Sequence, residues 1–229
     1  MNNLPTVGFI GLGLMGHAMA TKLLTAGFSL HIHSRTKRRA EDLIARGATW
    51  YSSPAQMAQT LGADIIIICV TDSQALQDVI IGANGLVDQL TADSLLIDMG
   101  TSRVDLTQSL AAKITQTGSH YLDAPVSGGQ AGAENGALTV MIGGDQDSFD
   151  KAKHIIDCYS KKMKLLGKAG NGQLAKMVNQ ICIAGLVQGL SEAINFGINA
   201  GLKMEDVIEV ISKGAAQSWQ MDNRSKTMI

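Results

Sequence analysis

Thr6-Val7-Gly8-Phe9-Ile10 runs without a break into Gly11-Leu12-Gly13-Leu14-Met15-Gly16, and this junction decides the fold. The first five residues read as a buried strand. The apolar positions Met19, Leu23 and Leu24 then recur at helical spacing and stop at Gly27, which fits the residue just past a helix end. Strand, glycine loop and helix in this order open a dinucleotide-binding βαβ unit. Gly11 is expected to make the tight turn, Gly13 to let backbone approach a pyrophosphate, and Gly16 to let helix and strand pack closely. The helix N-terminus offers that pyrophosphate free N–H groups and positive potential. Gly11, Leu12, Gly13, Leu14, Met15 and Gly16 are therefore candidate cofactor-binding residues.

The second strand, Ser29 to His33, lacks the acidic residue that would hold the ribose hydroxyls of NAD. The chain reads Ser34-Arg35-Thr36-Lys37-Arg38-Arg39 instead. An arginine fork can hold a 2′-phosphate, which a carboxylate would repel. The sequence thus predicts NADP, with NAD possible. Arg35 is the main contact and Ser34, Thr36 and Lys37 are lesser ones. A merely solvated basic helix start is the plainer alternative, but cations sit unfavourably at that end of the helix dipole.

Alternation continues downstream. Ala48–Tyr51, Asp64–Val70, Ser94–Asp98, His120–Ala124, Leu138–Ile142 and Met163–Leu166 read as strands. Helices are expected from Ser53-Pro54, after Ser102 through Gln116, and over Asp145–Tyr159. This pattern predicts an α/β fold with a Rossmann-type doubly wound sheet over residues 1–166, its ligand crevice at the strands' C-terminal ends. Val70, Thr71 and Asp72, with Gly100, Thr101 and Ser102, fall at those ends. Ser127-Gly128-Gly129 could form a nest of N–H groups for a carboxylate, or simply a glycine-rich turn.

A long helix is expected from Gly170 to Gly201, opening an all-α region over 167–229. Lys176 and Asn179 share a face of it. Met177, Val178, Ile181, Ile183, Leu186 and Val187 are expected to bury most of the helix, leaving Lys176 facing water or a cleft. Gly185 and Gly189 would permit close helix approach within the fold or across a dimer. A further helix is expected over Glu205–Lys213, and Trp219 is expected to pack against the long helix or a neighbouring subunit.

Composition excludes several classes. A net charge of −1 gives no footprint for nucleic acid. Cys69, Cys158 and Cys182 have no metal-ligand spacing and read as buried thiols of a reducing compartment, so no metal is expected. The longest apolar run, Ile181–Leu190, reads as too short to span a membrane, and with no basic or apolar leader pattern before the first strand no signal peptide is expected. A cytoplasmic protein acting on a small molecule is expected.

Four blocks carry a family resemblance: Gly8-Phe-Ile-Gly-Leu-Gly-Leu-Met-Gly16, Asp98-Met-Gly-Thr-Ser102, Asp123-Ala-Pro-Val-Ser-Gly-Gly129 with Gly132-Ala133, and Gly170-x-Gly172-x-x-x-Lys176-x-x-Asn179. In this order they resemble the β-hydroxyacid dehydrogenases, which include 3-hydroxyisobutyrate dehydrogenases, tartronate semialdehyde reductases and glyoxylate/succinic semialdehyde reductases. The resemblance implies hydride transfer between a nicotinamide and a small 3-hydroxy acid or its semialdehyde. It implies that Lys176 is the catalytic acid/base and that Ser127, Gly128 and Gly129 bind the substrate carboxylate. Asn179 would bind a substrate oxygen or orient Lys176, and Thr101 would lie near the nicotinamide. Val178 stands where the related 6-phosphogluconate dehydrogenases carry histidine, which argues against decarboxylating sugar-phosphate chemistry. Family members run on beyond the position of Ile229, so the chain is expected to be C-terminally truncated relative to them. That leaves a non-catalytic dinucleotide-binding module, or an inactive fragment, as the alternative. Exposed apolar surface on the helical region would favour a homodimer or homotetramer.

Overall fold

The computed structural model describes residues 4–61 and 65–229. The chain folds into two compact units, Met1–Lys176 and Met177–Ile229.

The first unit is built on a parallel sheet of six strands: β1 (Val7–Ile10), β2 (Leu30–His33), β3 (Thr49–Tyr51), β4 (Ile65–Ile68), β5 (Leu95–Asp98) and β6 (His120–Asp123). Their spatial order is β3-β2-β1-β4-β5-β6, the Rossmann-type doubly wound order. The order reverses between β1 and β4, and a crevice opens there because successive connections leave to opposite faces. Strand β4 is four isoleucines, three of them fully buried. A strand covered on both faces has no need of polar alternation, and each such side chain stabilises the fold by about 1.5–3 kcal/mol. The strand expected from Asp64 begins outside the described residues, and its described part ends at Ile68.

Helices α1 (Leu14–Thr25), α2 (Glu41–Ala45), α3 (Pro54–Leu61), α4 (Ser73–Ile81) and α5 (Val104–Thr115) connect these strands. The expected caps are in place. Gly27 takes φ +90° past α1 and closes it through its N–H to Leu24, and the Ser53 hydroxyl accepts the Gln56 N–H at 3.1 Å ahead of α3. After β6 the chain forms a smaller three-stranded sheet of β7 (Val126–Ser127), β8 (Leu138–Ile142) and β9 (Ser160–Leu165), with helices α6 (Gly129–Glu134) and α7 (Gln146–Ile156). The short strand β7 pairs antiparallel with β8, which pairs parallel with β9.

Helix α8 (Asn171–Asn199) starts in the first unit and continues into the second. With α9 (Met204–Ile211) and α10 (Trp219–Met228) it makes the second unit all-helical, around Leu190, Ile194, Met204 and Met221. Four expectations are corrected here. The apolar residues of α8 do not bury most of the helix: Ile181 is 72% exposed, and Val178, Met177 and Leu186 are exposed too. With 29 residues and a mean hydropathy of 1.5 over its most apolar window, α8 is long and apolar enough to cross a membrane by length and composition. The short run Ile181–Leu190 understated this because weakly polar residues interrupt it without adding charge. Of the approaches expected at Gly185 and Gly189, the one within the fold does not occur: nothing lies within 4 Å of a Cβ at either position. Close approach occurs instead at Gly197, where a Cβ would strike the Met204 sulfur. Finally, Cys182 is exposed and Cys69 and Cys158 are only partly buried.

Candidate functional site

The glycine loop turns as its sequence requires. Gly11 sits at φ +99°, and a side chain there would strike the Cys69 carbonyl, so only glycine serves. At Gly16 a Cβ would collide with the Gly11 carbonyl, and its absence lets the first turn of α1 close onto β1. Gly13 is different: nothing lies within 4 Å of its Cβ position. It is the residue preceding α1, no side chain caps that helix, and its first turn carries no acid. The first-turn N–H groups thus have no side-chain cap and start beside an open position at Gly13, the arrangement that suits a phosphate.

A cleft of about 710 Å³ opens at this point. The ends of β1, β2 and β4 supply its walls: Ile10–Gly13, His33–Thr36 and Cys69–Asp72. Of the candidates, Gly11, Leu12, Gly13, Ser34, Arg35, Thr36, Val70 and Thr71 line it. Leu14, Met15 and Gly16 lie behind the loop, in α1. Lys37 is turned elsewhere, its ammonium 5.1 Å from the centre of the Trp50 ring.

The cleft also has walls that the sequence did not announce. Arg39, Gln74, Asp78 and Asn84 line it. Asp72 caps α4 by accepting the Ala75 N–H at 2.9 Å. That bond and the Thr71 hydroxyl hold its carboxyl below the usual range, with a smaller contribution from the Arg35 charge. Cys69 is no nucleophile here, since burial, reinforced by the Asp98 charge, pushes its thiol up to about 12. The dimensions and the uncapped helix end fit a dinucleotide, and Arg35 and Arg39 bring positive charge to the cleft lining.

Further along the sheet, β5 and β6 each end in a fully buried aspartate. Asp98 accepts the Gly100 N–H at 2.9 Å and the Tyr121 hydroxyl at 3.1 Å. Burial, opposed by these bonds, raises its carboxyl to about 7. Asp123 reaches the start of α8, accepting the Gly170 N–H at 2.7 Å and the Gln173 N–H at 2.9 Å. Its carboxyl is raised to about 6, again chiefly by burial. Gly172 lets the helix come this close, because a Cβ there would meet the Asp123 and Met141 carbonyls at 2.6 Å.

Lys176 follows one turn after Gln173. It is 9% exposed, and its ammonium makes no hydrogen bond or ion pair among the described residues. Burial alone lowers its pKa from the ordinary lysine value. A sequestered amine without a partner can exchange a proton with a bound molecule, which a lysine locked in an ion pair cannot do so readily. Asn179 is half-buried on the next turn of the same helix, its amide donating to Gln180 at 3.0 Å.

Ser127 ends β7 opposite Thr139, and Gly128 and Gly129 follow at φ +134° and +63°. Both glycines are exposed, and the N-terminus of α6 that they form has no side-chain cap. Thr101 is exposed between Gly100 and Ser102. None of Thr101, Ser127, Gly128, Gly129 or Lys176 lines the cleft beneath the glycine loop.

Known proteins match along almost the whole chain. Residues 6–167 match the NAD binding domain of 6-phosphogluconate dehydrogenase. Residues 170–229 match the family described as NAD-binding of NADP-dependent 3-hydroxyisobutyrate dehydrogenase. An uncharacterized oxidoreductase of Shewanella frigidimarina (strain NCIMB 400) is 51% identical over 97% of this chain and 76% of its own length. The 2-hydroxy-3-oxopropionate reductase of Escherichia coli (strain K12) is 34% identical over 97% of this chain and 75% of its own length. Among solved structures, 3-hydroxyisobutyrate dehydrogenase of Mycobacterium tuberculosis, described with L-serine, superposes with a TM-score of 0.85 at 26% identity. It covers 94% of this chain and 72% of its own. Two adjoining family matches that carry on from the first strand to Ile229 agree with the sheet order and the glycine loop, and the chain therefore belongs to the β-hydroxyacid dehydrogenases, NAD(P)-dependent oxidoreductases of hydroxy acids.

Proposed function

We propose that the protein interconverts a small 3-hydroxy acid and its semialdehyde, preferring NADP to NAD, with Lys176 as acid/base. The observation that carries this reading is the largely buried ammonium of Lys176, without a partner among the described residues and one turn beyond a helix start pinned to the end of the sheet. The bound nicotinamide supplies or accepts the hydride. The chain's residues manage charge and position around that exchange. Lys176 gives its proton to the oxygen where negative charge develops in reduction and takes it back in oxidation, and its lowered pKa favours both. The uncapped N–H groups at Gly128 and Gly129, with the Ser127 hydroxyl, hold the substrate carboxylate and fix the other end of a short molecule. Asn179 holds a substrate oxygen or orients Lys176, and Thr101 lies beside the nicotinamide. Arg35, at the lip of the cleft, takes the 2′-phosphate with help from Ser34 and Thr36. Residues 1–166 form the cofactor-binding domain in this reading and 167–229 the helical domain, in a soluble homo-oligomer.

The test is a panel of short semialdehydes and 3-hydroxy acids, followed at the nicotinamide absorbance with NADPH and NADH, on the wild type and Ser127→Ala. Turnover of carboxylate-bearing substrates, with a KM raised in the variant for those and not for uncharged aldehydes, supports the reading. NADPH binding with no turnover on any panel member favours a non-catalytic dinucleotide-binding module.

A further inference from the structure

Gln173 is fully buried, and every polar group of its side chain is used. Its backbone N–H donates to Asp123 at 2.9 Å. Its side-chain oxygen accepts the Ser102 N–H at 3.0 Å, while its side-chain nitrogen donates to the Gly100 carbonyl at 2.9 Å. Only one orientation of the amide satisfies both partners, since one is a donor and the other an acceptor. The side chain thus grips the peptides on either side of Thr101, which itself stays exposed. The loop so gripped follows β5, at the C-terminal edge of the sheet.

We propose that Gln173 is a positioning residue for the reaction: it locks the Gly100–Ser102 loop and the Lys176 turn of α8 in one fixed relation. Gln173 and Lys176 lie one turn apart on the same helix face, so any shift of the first displaces the second. A plain apolar residue would fill the space but leave a buried N–H and a buried carbonyl unmatched. An ionised acid would match only the N–H. Glutamine alone among side chains of this length serves both at once. This inference rests on the acid/base reading of Lys176 for its catalytic meaning, but the geometry it asserts can be read without turnover.

The test uses Gln173→Leu and the isosteric Gln173→Glu in the full chain, with two readouts. The first is kcat and KM across pH. The second is the apparent pKa of Lys176, from the pH dependence of its reaction with an amine-directed acylating reagent, mapped by peptide mass. Gln173→Leu is expected to lower kcat by roughly 10- to 100-fold, with KM changed far less, as a small misplacement of a catalytic group does. It should also move the Lys176 pKa up toward the ordinary value as the turn loosens. Gln173→Glu keeps the shape and guards against a leucine variant that fails to fold. Its carboxylate, on a residue whose own N–H is held by Asp123 and beside a Gly100 whose N–H is held by Asp98, cannot donate to the Gly100 carbonyl until protonated. Its kcat is therefore expected to recover as pH falls, in a limb that the wild type lacks. Wild-type kcat profiles and an unmoved Lys176 pKa in both variants, with only thermal stability reduced, would overturn the proposal. A wild type that turns over no hydroxy acid would sink the functional reading instead, while the labelling result still decides whether Gln173 sets the position of Lys176.

Discussion

Asp98 and Asp123 are register partners at the last positions of two adjacent parallel strands, and both are fully buried. Register partners in a parallel sheet project to the same face, and the Asp123 charge adds to burial in raising the cost of ionising Asp98. The division of labour follows from their donors. Asp123 accepts two backbone N–H groups at the start of α8, which favours its charged form. Asp98 is the group that holds a proton, at about 7.

A pH dependence of stability follows. With folded pKa values of about 7 and about 6, both lie above the ordinary aspartate value of 3.8. Between about pH 4 and 7 the native state binds more protons than the unfolded chain, so stability declines as pH rises through this window. Asp98→Asn should flatten that slope, because its oxygen can still accept from Gly100 while its amide donates to the Tyr121 oxygen. Urea titrations at about pH 4.5, 6 and 7.5 on both proteins measure the slope. Equal slopes would show that Asp98 ionises freely.

Asp123→Asn should behave differently. Both Asp123 oxygens accept backbone N–H groups, and an amide nitrogen would face one of those donors. The unmatched pair is expected to cost about 1–3 kcal/mol of stability and to loosen the helix start. Denaturant unfolding gives the stability, and hydrogen exchange at Gly170 and Gln173 gives the local effect.

Two glycines of one loop should separate folding from binding. Gly13→Ala adds a methyl group to empty space and leaves the fold intact, but it fills the position where backbone meets a pyrophosphate. Near-normal thermal stability with cofactor affinity lowered at least about tenfold is expected, equal to about 1.4 kcal/mol. Gly16→Ala drives a Cβ into the Gly11 carbonyl and should cost about 1–3 kcal/mol of stability as well. Thermal unfolding alongside NADPH titration distinguishes the two, and identical behaviour would refute the separate roles.

Arg35→Ala tests the coenzyme preference. A charge-assisted bond to a phosphate is worth roughly 1.5–3 kcal/mol, so affinity for NADPH should fall about 10- to 100-fold while NADH is little affected. A preference left unchanged would move the phosphate contact to another residue, with Arg39 the first to examine because it also lines the cleft.

The parts of this protein that were legible in its sequence are those written in local pattern. The glycine loop, the four-isoleucine strand and the Ser53-Pro54 helix start each announce themselves within a few residues. Gln173 does not, because its partners at Gly100 and Ser102 are brought to it only by the sheet order. Asp98 and Asp123 were legible as members of motifs, yet their pairing depends on the register of β5 against β6. The exposed apolar face of α8 was misjudged for a related reason: periodicity identifies an apolar helix but not what covers it.

The central claim is that Lys176 moves the proton. Its most direct test is single-turnover oxidation of NADPH with a short semialdehyde on wild type and Lys176→Ala, with NADPH affinity measured on each. The account predicts a loss on the order of 10²- to 10⁴-fold in the chemical step, with affinity for NADPH unchanged. Undiminished hydride transfer in the variant, or loss of NADPH binding along with activity, would contradict it and leave Lys176 a structural residue of the helix.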